Sequence, residues 1–187
     1  ATISADKMNV VYRGVVNPMT ISFAGVSDTD VTASGPGLSR ASGTGKYNMS
    51  PGQGTEAVIN VTAKLPGGKT ASSKKVFRIK GIPAPVGTIG GEMYGAKGQK
   101  SRLAVSQIGA KLPDFDFDVN LTVTGFTFKA PGQAAVIVNG NRVNSQCEAA
   151  MARASRGDAV TITDIKVRLE GSDIMLPRTA PIVYEIQ

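Results

Sequence analysis

The sequence predicts a mainly β chain: two consecutive β-sandwich domains, the second carrying one short α-helix. Three observations carry that prediction. The 187 residues include 22 Gly and 10 Pro, with 5% aromatics and no Trp, a profile of short strands and turns rather than long helices. Apolar runs are separated by the turn signals NP, GPG, SGTG, PGQG and PGG. In EAVINVTAKL (56–65), Ala57, Ile59, Val61, Ala63 and Leu65 take one face, while Glu56, Asn60, Thr62 and Lys64 take the other. That period of two marks a strand with one buried face.

In the first half the expected strands are MNVVY (8–12), MTISFAGV (19–26), VTAS, KYNM, EAVINVTAKL and KKVFRIK (74–80). Six or seven short strands at this spacing describe a small immunoglobulin-like β-sandwich. GIPAPVG (81–87) then interrupts the pattern with two prolines and two glycines, as a short stiff linker does. The boundary falls near Pro83 to Pro85, giving domains 1–82 and 83–187.

The second half resumes with strands in TIGGEMYG, SRLAVSQIGAKL (101–112), KLPDFDFDVNLTVTGFTF (111–128) and AAVIVNG. A helix is expected at about 146–156, opened by a capping box between Ser145 and Glu148. Arg153 and Arg156 would sit near its negative end, with Gly157 stopping it. Cys147 lies on its apolar stripe and reads as a small core residue, since no partner base is visible. In AVTITDIKVRLEG (159–171) the side-chain alternation slips near Asp164, which predicts a bulge or bend. The last strand, APIVYEIQ (180–187), should turn Ile182, Tyr184 and Ile186 inward, tying the end of the protein into a sheet.

The segment DFDFD invites a calcium reading, because oxygens stand at the first, third and fifth positions of an EF-hand loop. Val119 occupies the position of the required Gly and Gly125 that of the required Glu, so the motif fails. Read as a strand it places Phe115, Phe117, Val119, Leu121 and Val123 on one face and Asp114, Asp116 and Asp118 on the other. Carboxylates about 6.7 Å apart on one face repel by only ~0.6 kcal/mol in water. Burial of each Phe or Leu returns about 1.5 to 3 kcal/mol, so the apolar face should decide. The three aspartates are then the candidate protein-interface residues.

Other motifs carry less. Ser72 and Lys75 match S-x-x-K, but residues three apart on a strand point to opposite faces. GTGKY (43–47) lacks the leading Gly and the trailing Ser or Thr of a phosphate loop, and reads as a turn. Asn48, Asn60 and Asn120 open glycosylation sequons that matter only in a eukaryotic secretory pathway.

Composition excludes several functions. The absence of His removes imidazole-base mechanisms and most zinc sites, and one cysteine makes no internal disulfide. No catalytic, cofactor-binding or metal-ligating residue is assigned, and the chain reads as a non-enzyme. No stretch approaches the roughly 18 apolar residues of a membrane helix, and no signal peptide precedes Ala1, so a soluble, excised piece without membrane contact is expected. Residues 1–82 hold 10 Lys and Arg against 4 Asp and Glu, whereas 83–187 hold 11 against 10. These cations are scattered singly with few aromatics among them, which favours a solvated surface over nucleic-acid binding.

Taken in order, ISADKMNVVYRGVVNPMTIS, VFRIKGIPAPVGTIGGE, GAKLPDFDF, VNGNRVNSQC, ARASRGDAVTITDIKV and RTAPIVYEIQ resemble the C-terminal half of the GldM family. That family comprises gliding motility proteins, with PorM as a homologue, of the type IX secretion system of Bacteroidetes. The resemblance implies a periplasmic homodimer anchored by an N-terminal inner-membrane helix, which pairs with the GldL motor subunit. It implies that the distal domains meet the outer-membrane-associated ring of GldK and GldN. Without the resemblance, the rival is an extracellular carbohydrate-binding or adhesin-like module, for which an exposed aromatic platform would be needed.

Overall fold

The computed structural model describes residues 2–4 and 9–187. Met8, in the first expected strand, lies outside them. The chain divides into two compact units, 1–82 and 83–187. Each is a pair of facing β-sheets.

In unit 1 the strands are β1 (Thr2–Ser4), β2 (Val10–Tyr12), β3 (Asn17–Ser22), β4 (Val31–Ser34), β5 (Leu38–Arg40), β6 (Lys46–Met49), β7 (Glu56–Lys64) and β8 (Thr70–Lys80). They form two four-stranded sheets, β1-β3-β6-β5 and β2-β8-β7-β4. The long hairpin β7–β8 pairs from Glu56 with Arg78 to Lys64 with Thr70. Its inward residues Ala57, Ile59, Val61 and Ala63 are buried, as alternation requires. They meet Met19, Ile21, Tyr47, Met49 and Phe77 in one apolar core. MTISFAGV stays extended only to Ser22; a turn and the short helical turn Asp28–Asp30 follow. The short strand β5, which was not expected, pairs with β6.

In unit 2 come β9 (Val86–Ile89), β10 (Glu92–Met93), β11 (Gly95–Gly98), α1 (Lys100–Ala104), β12 (Ile108–Lys111), β13 (Leu121–Lys129), β14 (Val136–Asn139), α2 (Ser145–Met151), β15 (Ala159–Leu169) and β16 (Ile182–Ile186). The sheets are β10-β9-β12 and the mixed sheet β11-β16-β15-β13-β14. The stretch read as linker is shorter than expected. Val86 and Gly87 already belong to β9, and the Gly87 amide donates to the Ala180 carbonyl at 3.0 Å. A Cβ on Gly87 would stand 2.6 Å from Ile165 and 2.8 Å from Ile182; this glycine serves close packing rather than chain freedom.

SRLAVSQIGAKL corrects the all-strand reading. Its first part forms α1, whose Leu103 is fully buried, and only Ile108–Lys111 is strand. The expected helix is present as α2, with a different start and stop. Asn144, not Ser145, is the N-cap: its Oδ1 accepts from the Cys147 amide at 3.1 Å. Asn caps as well as Ser, and Asn144 has the extended backbone a cap needs. At the far end α2 stops at Met151, ahead of Arg153 and Arg156. Lys100 on α1 donates from Nζ to the carbonyls of Ala152 at 3.1 Å and Ala154 at 2.8 Å, satisfying acceptors that a longer helix would have used.

The slip in β15 falls where alternation places it. Asp164 has φ 47, and the β13–β15 register shifts between Gly125 and Thr127. Val160 and Ile162 before it, and Ile165 and Leu169 after it, all reach the interior. Ile182, Tyr184 and Ile186 are buried as expected.

Candidate interaction site

The three sequence-predicted aspartates lie on a loop, and the strand expected for DFDFD is absent. Residues 112–120 connect β12 to β13 without ladder pairing. Pro113 supplies no amide donor, and Asp114 turns the chain with φ 56, as a residue after Pro in a tight turn does. Asp is a poor strand former, and three in five residues outweigh the alternation. The interior is not reached until Val123.

Burial still alternates along the loop. Asp114, Asp116 and Asp118 are exposed, while Phe115, Phe117 and Val119 are half-buried. The Phe115 and Phe117 rings stack with centroids 4.9 Å apart and planes inclined by 28°, within the range of offset aromatic pairs. Ring stacking thus replaces core burial as the apolar anchor. At the loop's exit the Glu170 amide donates to the Asn120 carbonyl at 2.9 Å, and Thr122 Oγ1 lies 2.6 Å from Glu170 Oε1. The result is a tethered acidic projection beside the mixed sheet.

Among the described residues no group of three or more His, Cys, Asp or Glu is placed to hold a metal. Cys147 is fully buried, and desolvation raises its thiol pKa, the opposite of what a nucleophile needs. Ser72 is exposed and Lys75 half-buried on β8, at an odd spacing that separates them across the strand. Tyr94 is the one exposed aromatic ring among the described residues, which makes no platform for sugar stacking.

The aspartates were visible in sequence, but their loop setting was not. Pro113 followed by Asp114 was the available signal. The basic sheet face described below was missed because single cations on separate strands show no cluster in linear order.

Two family models match the chain end to end: the GldM third domain over residues 1–80 and the GldM C-terminal domain over residues 83–187. The chain belongs to the GldM family. It is therefore part of a gliding motility and type IX secretion component. The two matches divide where the compact units do, between residues 80 and 83. No curated protein matches the sequence. Among solved structures, the fibronectin(III)-like modules of Clostridium thermocellum CbhA are similar at 12% identity and a TM-score of 0.34. That alignment covers 99% of this chain and 93% of the other. Cadherin domains 3–6 of protocadherin gamma B2 are similar at 14% identity, with coverage of 95% and 44% and a TM-score of 0.27. Among the described residues no helix is long and apolar enough to cross a membrane.

Proposed function

We propose that this chain is the distal periplasmic part of a dimeric rod that couples an inner-membrane motor to the outer-membrane-associated ring. The observation that carries the reading is the pair of GldM domain matches over 1–80 and 83–187. The full-length protein is held in the inner membrane by a helix outside this sequence, where it pairs with GldL. The two β units work as structural segments rather than as catalysts, and they meet GldK and GldN through their faces.

Mechanically, each unit is a sandwich with its own closed core, which deforms little under load. Force or a conformational signal then passes through surfaces, not through a pocket. Asp114, Asp116 and Asp118 are the proposed contact to the ring, because they project together on a loop anchored by stacked rings. Homodimerisation keeps a long rod stiff.

The test is made in cells with the full-length protein truncated before Pro83. Loss of both secretion and gliding, with the truncated protein still in the inner membrane, supports the reading. Unchanged secretion and gliding would refute it.

A further inference from the structure

The outer face of the β2-β8-β7-β4 sheet in unit 1 carries a charge pattern that the fold does not use. Exposed Lys74, Val76, Arg78 and Lys80 alternate along β8 on this face, about 6.7 Å apart. Register places Val76 opposite Val58, Lys74 opposite Asn60, Arg78 opposite Glu56, and Thr70 opposite Lys64 at the far end. An apolar pair, with Val76 41% exposed, therefore sits between flanking cations.

These four cations share the face with Glu56. None of them forms an ion pair with another described residue. Neighbouring cations at this spacing repel one another, with only Glu56, opposite Arg78, to offset them on this face. An apolar centre ringed by charge is the anatomy of a protein interface. Among the described residues the one aromatic ring on this face is Tyr12, opposite Lys80 and half-buried, which leaves no open platform for stacked nucleic-acid bases and no exposed aromatic anchor for a lipid surface.

We infer that this face docks an acidic protein surface, which seats a small apolar side chain on the Val58–Val76 pair and carboxylates on Lys74 and Arg78. The inference stands independently of the ring-binding reading, since it concerns unit 1 and a different surface.

The experiment uses the whole chain and poly-L-glutamate as the acidic probe, followed by fluorescence anisotropy at physiological salt. K74E/R78E is compared with R40E/K46E, which changes net charge equally on the opposite sheet; circular dichroism checks that both fold. The expected result is binding weakened by about tenfold or more for K74E/R78E, and by less than about threefold for R40E/K46E. A peptide alternating Glu with Val should also lose affinity on Val76→Asn, whereas poly-L-glutamate should not. Equal loss in the two double variants, or no binding by the unaltered chain, would overturn the inference. So would tighter, face-selective binding of phosphatidylglycerol vesicles or duplex DNA. Self-association abolished by K74E/R78E would overturn it too, by making a second copy the occupant.

Discussion

Asn17 donates from Nδ2 to the Met49 carbonyl at 3.0 Å, joining residues 32 apart. The carbonyls of Tyr12 at 2.9 Å and Val15 at 3.1 Å share the two hydrogens of the same amide nitrogen. Its Oδ1 accepts from the Tyr12 amide at 2.8 Å. One buried side chain thereby satisfies the backbone where β3, β6 and the loop from β2 converge.

Removal of that side chain should be costly. Asn17→Ala removes this donor from the buried Met49 carbonyl, at about 1 to 3 kcal/mol for an unsatisfied group. Hydrogen-exchange mass spectrometry should show protection falling around Tyr12 and Met49, with unit 2 unchanged. Equal protection in the variant would show that water replaces the amide without loss.

The second prediction concerns alkaline pH. Burial raises the Cys147 thiol above its usual range, and burial likewise raises the Tyr184 phenol. A raised folded pKa means that the unfolded chain releases its proton first. The stability is then complete below the unfolded thiol value, about 8.5, and is lost as pH rises through the folded one. Denaturation midpoints of unit 2 should fall from about pH 8.5 upward. Cys147→Ala should remove the thiol's share of the slope, at a cost in packing.

Lys100 gives a third. Its two bonds close the exit from α2, so Lys100→Met should let that exit fray. Cys147, buried on the same helix, reports it: thiol-reagent labelling should quicken by about three- to tenfold, matching about 1 kcal/mol of lost bonding. An unchanged rate would place the control of α2 elsewhere.

Much of the fold was legible because strand alternation is a local, period-two signal. It located β7, the Asp164 slip and the inward set Ile182, Tyr184 and Ile186. Helical turns of five residues leave little periodicity, so in sequence α1 is indistinguishable from strand. The capping error at Ser145 has a similar cause, since Asn144 beside it is an equally good cap and only backbone geometry chooses. In DFDFD the alternation persisted in burial while the ladder did not. Pro113 and three poor strand formers decided that outcome, and sequence periodicity does not weigh them.

Asp164 supplies the fourth prediction. Its φ of 47 suits Gly and strains β-branched residues by about 1 to 3 kcal/mol. Asp164→Val should lower the denaturant midpoint accordingly. Asp164→Gly should change stability little, because the exposed pair with Arg178 at 3.2 Å contributes only ~0 to 1 kcal/mol. Equal effects of the two variants would deny the backbone role of this position.

The proposed partner of this part of the protein is the outer-membrane-associated ring. The most direct test is a titration of the purified chain against the GldK–GldN complex by biolayer interferometry, with D114K/D116K/D118K as the comparison. The account predicts saturable binding by the unaltered chain, and a folded triple variant whose binding is weakened by about tenfold or more. A folded chain that shows no saturable binding would contradict the claim.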